Sequence, residues 1–404
     1  MRAARYAAVV RFAVRLGSFA FAVLVAACGS SDDSSTQAAT DGASSVDAST
    51  DGGAPHSDAT SATDAPATDG TAGPQGLHVE GNTLVDDGSI VHLRGVDHSG
   101  TEYTCVQNNG IFEGPTDSTL AAAMLTWHAN AVRLPLNEDC WLGLNGVNPM
   151  YSGTAYATQI VSYVRMLRSQ GLYVIVDLHW NGPGSTLANG QLPMADADHA
   201  LDFWTAVATA FAGTSGVIFD LYNEPYVDTS NASTQDPWDC WLHGCTINAG
   251  GNVSSSWQST GMQDLVDAVR ATGAKNVIMV GGLAYANDLS GWLAHEPTDP
   301  TGNLAASFHE YNFNTCNDMS CWMTDIQRVA AAVPLVTGEL GENDCAHGFI
   351  DMYMPWADSL GISYLGWTWN AWDCSNGPAM ITAYDGSATA FGAGFKAHLQ
   401  DAGP

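Results

Sequence analysis

Eight short apolar runs, alternating with stretches of helical periodicity, constrain this 404-residue chain more than any other feature. They read IVHLRGV (Ile90 to Val96), NAVRLPL (Asn130 to Leu136), LYVIVDLHW (Leu172 to Trp180), GVIFDLYNE (Gly216 to Glu224), NVIMVGG (Asn276 to Gly282), LAASFHEY (Leu304 to Tyr311), PLVTGEL (Pro334 to Leu340) and ISYLGWTW (Ile362 to Trp369). Near-continuous apolar strands alternating with helices belong in a parallel sheet covered by helices. The helical patterns lie between the runs: Ile160, Val164 and Leu167 ahead of Gly171; Leu201, Trp204, Val207 and Phe211 ahead of Gly213; Met262, Leu265, Val266 and Val269 ahead of Gly273. Eight such units predict an α/β fold, a single closed (β/α)8 TIM barrel. An open doubly wound sheet calls for a glycine-rich phosphate turn after the first strand, where this chain has GVDHSG. Residues 76–89, GLHVEGNTLVDDGS, read as a hairpin that plugs the barrel floor.

In such a barrel the C-terminal strand ends line the active face, so polar groups that interrupt the apolar runs there are candidates for chemistry. They are Asp97 and His98, Arg133, Asp177 and His179, Asn223 and Glu224, His309 and Tyr311, Glu339, and Trp367 with Trp369. Asn223-Glu224-Pro225, the arginine of the second run, His179, the H-x-Y of His309 and Tyr311, Glu339 in GELG and Trp367 together resemble glycoside hydrolase family 5, the cellulase-like retaining β-glycosidases of clan A. The resemblance covers essentially everything after Gly76. It implies Glu224 as acid/base, Glu339 as nucleophile, and Arg133, His179, Asn223, His309, Tyr311 and Trp367 as supporting and substrate-binding residues.

The chemistry explains the residue types. Retaining hydrolysis needs two carboxyl groups roughly 5 Å apart, one attacking the anomeric carbon and one protonating the leaving oxygen, with their pKa values pushed apart. Arg133 near Glu339 keeps the nucleophile ionised, while Glu224, less solvated and farther from that charge, keeps its proton. No metal or organic cofactor is called for. An arginine in a barrel strand also serves simply to pair a structural carboxylate. Glu138, Glu310, Glu342 and Asp344, also near strand ends, read as substrate contacts or as merely solvated, with Glu310 turned away from the sugar by strand alternation. Trp180, Trp238, Trp241, Trp322, Trp369 and Trp372 read as sugar-stacking platforms or as core.

The first 75 residues have a different texture. Residues 1–27, with arginines, an apolar stretch and then small residues in VAAC, read as a lipoprotein-type signal with Cys28 acylated; a plain cleaved signal is the competing reading. Residues 28–75, rich in Ser, Thr, Asp and Ala, cannot bury enough apolar surface to order and read as a disordered linker, leaving 76–404 as the catalytic barrel. Export, at the cell surface through the lipid or outside the cell, is expected. With Cys28 set aside, eight cysteines remain, and spacing suggests Cys240–Cys245 and Cys316–Cys321 as local loops, then Cys105–Cys140 and Cys345–Cys374. The rival use, metal ligation, finds no C-x-x-C pair. A formal charge of −30, from 42 acidic and 12 basic residues, argues against nucleic acid as a partner. The expected partner is a polysaccharide or oligosaccharide met by a monomer, with endo-β-1,4-glucan first. Mannan, xylan or exo-action by the same mechanism is the alternative, and a binding protein without turnover the third.

Overall fold

A computed structural model describes residues 76–374 and 377–402. The expected signal at 1–27, the acylated Cys28 and the linker 28–75 lie outside the described residues. Eight parallel strands form the barrel: β1 (Arg94–Asp97), β2 (Ala131–Asn137), β3 (Tyr173–Trp180), β4 (Val217–Asp220), β5 (Ile278–Gly281), β6 (Leu304–Tyr311), β7 (Leu335–Gly341) and β8 (Ser363–Gly366). Each pairs with its successor, and β8 pairs with β1 to close the ring. The expected helices appear at Thr154–Ser169, Ala200–Phe211 and Met262–Ala271, each laying its periodic apolar residues on the strands. Only Leu201 of that set stays partly exposed.

Three of the expected strands differ in extent. The first run divides. Ser89–Val91 pairs antiparallel with Thr83–Asp86, which itself pairs with His78–Glu80, and only Arg94–Asp97 enters the barrel. Leu93, fully buried between the two pieces, joins Leu77 and Leu84 in a cluster with Ala131, Ile175, Ile218 and Leu365, so the N-terminal sheet does close the floor. The fourth strand stops at Asp220, short of Glu224. Beyond it the Leu221 N–H still reaches the Met279 carbonyl of β5 and the Asn223 N–H the Leu178 carbonyl of β3, both at 3.0 Å, while the Leu221 carbonyl accepts the Trp204 indole N–H at 2.9 Å instead of continuing the ladder. The eighth stops at Gly366, after which Thr368 Oγ1 and the Trp369 N–H both turn to the Asp97 carbonyl.

All four expected disulfides are present. Cys105–Cys140 joins the loop after β1 to the helix Glu138–Leu142 after β2, and Cys345–Cys374 joins the loops after β7 and β8. The two short bridges close turns after β4 and β6. All of them stiffen the face where the strands end.

Candidate active site

At the mouth of the barrel one cation is surrounded by acids. Arg133, fully buried on β2, places its guanidinium 2.9 Å from Glu339 Oε1, 3.3 Å from Asp97, 3.3 Å from Asp177 and 3.2 Å from Asp220. It also donates to Asn223 Oδ1 at 2.9 Å. A planar five-donor group is what such a ring of acceptors requires; a lysine could not reach them all. One positive charge cannot neutralise four buried carboxylates. Burial, offset in part by Arg133, lifts Asp97 well above the ordinary carboxylate range and Asp220 to about 7. Arg133 therefore does both things its sequence position allowed: it pairs structural aspartates and it holds Glu339.

Glu339, on β7, takes Arg133 on one oxygen and the Tyr311 hydroxyl on the other at 2.6 Å. These two bonds fix the orientation of the carboxyl from both sides. Glu224 lies past the end of β4, 16% exposed, with Oε1 3.0 Å from His309 Nδ1 and Oε2 receiving Gln191 Nε2 at 2.9 Å. Burial raises its pKa, against the Gln191 bond and the charges of His179 and Arg133. Burial also drives His309 down to about 3, so the group beside Glu224 is a neutral imidazole and adds no cation to hold the carboxylate ionised. Gly338 makes room for that ring: a Cβ there would lie 3.0 Å from His309 Nε2.

Oxygens of Glu224 and Glu339 lie within 4.8 Å of one another, with His309 Nδ1 between them. That separation suits direct attack by one carboxyl and leaves no slot for the water that inverting enzymes hold between carboxyls roughly 6.5–9.5 Å apart. His179 donates its Nδ1–H to the Asp177 carboxylate at 2.8 Å, and its ring stacks on Trp367 at 5.6 Å and 11°, turning that indole into a flat wall beside the glutamates. Burial opposes protonation of His179, but the Asp177 carboxylate outweighs it and raises its pKa. Asn223, its oxygen held by Arg133, keeps its amide N–H groups for another acceptor.

The structure thus brings together Glu224, Glu339, Arg133, His179, Asn223, His309, Tyr311 and Trp367. Other candidates fall away. Trp241, Trp322 and Trp369 are core, Trp369 packing edge-on against Trp127, whereas Trp180, Trp238 and Trp372 stay partly exposed. Glu342 is neither solvated nor placed for substrate: it is buried and accepts the N–H groups of Phe349 and Ile350 at a helix start. Glu138 and Glu310 are likewise buried, Glu310 beside Trp322 and Asn287 rather than the glutamate pair, and only Asp344 is exposed. Asp220 and Gln191 were not among the candidates. Asp220 ends an apolar run, the signal that picked out Asp97 and Asp177; Gln191 is one amide in a polar loop, with no pattern to mark it.

Two trios among the described residues bring metal-capable atoms within 4.8 Å of one another: Glu224, His309 and Glu339, and, under the loop after β3, Glu138, Asp196 and His199. In the first, both carboxyls already hold hydrogen-bond partners, Glu339 from Arg133 and Tyr311 and Glu224 from Gln191.

The sequence profile of the cellulase family, glycosyl hydrolase family 5, matches residues 86–373. A mannan endo-1,4-beta-mannosidase from Streptomyces lividans is 23% identical over 305 residues, 73% of this chain and 66% of that protein. Endoglucanase MaCel5A from Microbulbifer sp. is 29% identical over 154 residues, 37% of this chain and 26% of that protein. The chain thus spans less than two thirds of either relative's length. Among solved structures, the β-glucanase SdGluc5_26A from Saccharophagus degradans superposes with a TM-score of 0.60 at 22% identity, over 81% of this chain and 94% of that one, a likeness of fold. Since the family match runs from before β1 to beyond β8 and so takes in every strand that carries the site, this chain belongs to glycosyl hydrolase family 5, the cellulases.

Proposed function

We propose that this protein is a retaining glycoside hydrolase that cleaves β-1,4-glucan internally. The observation that carries the reading is the pair of glutamate oxygens within 4.8 Å, one carboxyl bonded to a buried guanidinium and the other to a neutral imidazole. Glu339, held by Arg133 and Tyr311, attacks the anomeric carbon as the glycosidic bond breaks. Glu224 gives its proton to the departing oxygen, then takes one from the water that hydrolyses the glycosyl ester. The free amide N–H groups of Asn223 suit a sugar hydroxyl beside the reacting carbon, and Trp367 suits the apolar face of the ring.

The test is a panel of cellulose, mixed β-glucan, mannan, xylan and arabinogalactan with product sizes followed in time. Oligosaccharides of mixed length from β-1,4-glucan are expected. A second reading, mannan as substrate, is favoured by the Streptomyces relative, whose match extends over 73% of this chain; preferential release of manno-oligosaccharides would establish it. Turnover of none of the five refutes the activity.

We also propose that the protein is exported and lipid-anchored through Cys28. Four disulfides support an oxidising destination. Metabolic labelling with a fatty acid should mark the wild type and not Cys28→Ala; equal labelling of both refutes the anchor.

A further inference from the structure

Away from the catalytic pair, the loop between β3 and the helix Ala200–Phe211 is rooted on three side chains that the reaction does not use. Glu138 begins the short helix after β2 and is fully buried; Asp196, in the loop, is fully buried; His199 caps the helix Ala200–Phe211 and is 21% exposed. His199 Nδ1 lies 3.7 Å from Glu138 Oε2, 3.7 Å from Asp196 Oδ1 and 3.3 Å from the Gly182 carbonyl oxygen. The two longer separations are beyond hydrogen-bond reach. They are close to ligand-to-ligand spacing: donors each about 2.1 Å from a tetrahedral ion stand about 3.4 Å apart.

A second observation points the same way. Glu138 Oε2 accepts the Gly182 N–H at 3.1 Å, but Oε1, also buried, receives no N–H or O–H donor. The ion pairs of both carboxylates run to the one imidazole, so two buried acids face a single weak base. Burying such charge without a full counter-charge is costly. Asp196 is itself held in place: Oδ1 accepts the N–H groups of Asp198 and His199 at 3.0 and 2.8 Å, and Oδ2 accepts Asn181 Nδ2 at 2.9 Å.

We propose that Glu138, Asp196 and His199, with the Gly182 carbonyl, form a structural site for a divalent transition cation of the zinc type. An imidazole nitrogen among carboxylates suits Zn2+, whereas Ca2+ and Mg2+ take all-oxygen sets. On binding, the neutral ring carries its single proton on Nε2, exchanged there from Nδ1 through solvent, and turns the Nδ1 lone pair to the ion. The ion fastens both ends of the segment 181–199, and from the middle of that segment Gln191 reaches Glu224. Its role is to hold the loop, not to take part in the reaction.

The experiment uses the full, tag-free chain stripped by chelator and then given Zn2+, Mn2+ or Ca2+ alone, with bound metal measured per chain and thermal unfolding followed. One zinc per chain is expected, with Tm raised by roughly 5 °C at about a hundredfold excess over Kd, and no response to Ca2+. His199→Ala and Glu138→Gln should each weaken zinc binding at least about tenfold and lose the Tm shift, while Glu339→Gln keeps both. Failure of the stripped wild type to take up zinc, as expected if Glu138 and Asp196 instead share a proton, overturns the proposal. Uptake unchanged in His199→Ala overturns it too, as does uptake lost only in Glu339→Gln.

Discussion

Glu224→Gln separates proton delivery from shape. The carboxyl now sits between His309 Nδ1 and Gln191 Nε2, and an amide put there gives its oxygen to Gln191 and keeps the His309 contact only where the neutral imidazole presents a bare Nδ1 to the amide N–H. Gln191 cannot turn over to suit, because the same Nε2 also bonds the Glu224 carbonyl at 3.0 Å. The variant therefore loses at most about one hydrogen bond, roughly 1 kcal/mol, and still folds and binds sugar. It cannot protonate a leaving group, which is worth about 10²–10⁴ in rate on a polysaccharide. A dinitrophenyl glycoside, whose leaving group departs without a proton, should lose less than about tenfold in the first step. The second step still needs a base, so one equivalent of dinitrophenol should appear as a burst while glycosyl-enzyme accumulates. Azide, needing no deprotonation, should then relieve the block and give a β-glycosyl azide. Stopped-flow absorbance and product NMR measure these outcomes. Equal losses on both substrates, with no burst and no response to azide, would remove the acid role from Glu224.

Glu339→Gly should abolish hydrolysis and, with azide and an activated β-glycoside, yield the α-glycosyl azide; wild type should release the β-anomer first by proton NMR, and initial α-product would mean the nucleophile is misassigned. Stability should fall as pH rises from about 6.5 through 7, because Asp220 (about 7) holds a proton in the folded protein that the unfolded chain, with carboxylate pKa near 4, has already lost; Asp97 and Glu310, also raised by burial, act in the same sense. His98 and His309, depressed to about 4 and about 3, act in the opposite sense only below the ordinary histidine value near 6.5, so a Tm that holds or climbs above it refutes this balance. Native protein should show four disulfides by mass before and after reduction. Breaking the bridges of sequence separation 35 and 29 should cost about 4 kcal/mol each and the two short ones about 2 each, so an unchanged Tm in reductant would contradict the pairing.

The barrel was legible because both faces of its strands are apolar, a pattern that polar loops cannot imitate. The ends of strands were not. GVIFDLYNE reads as one run, yet its ladder stops at Asp220, because an indole from the helix Ala200–Phe211 takes the next carbonyl, and that contact has no local signature. The catalytic candidates were legible as polar breaks in apolar runs. Their supporting layer was only half so: Asp97 and Asp177 stood out, but nothing in a sequence tells that four acids from different strands converge on one guanidinium. Glu342 shows the reverse error, since a carboxylate near a strand end looks the same whether it faces substrate or caps a buried helix start.

The ring of acids around Arg133 makes the charge of the site depend on where the reaction stands. Once Glu339 is an ester it no longer claims a share of the guanidinium, and the full positive charge falls to Asp97, Asp177 and Asp220. Asp220, poised near neutrality, then ionises more readily, so the cluster gives up part of a proton as the intermediate forms and takes it back as water cleaves the ester. Trapping the intermediate with a slow-turnover fluorosugar in weakly buffered solution at pH 7 should acidify the medium by a fraction of a proton per enzyme beyond that accounted for by the leaving group. No excess acid would mean that the aspartates keep their protonation throughout. With that excess, the core of this barrel behaves as a capacitor, discharged and recharged in every catalytic cycle.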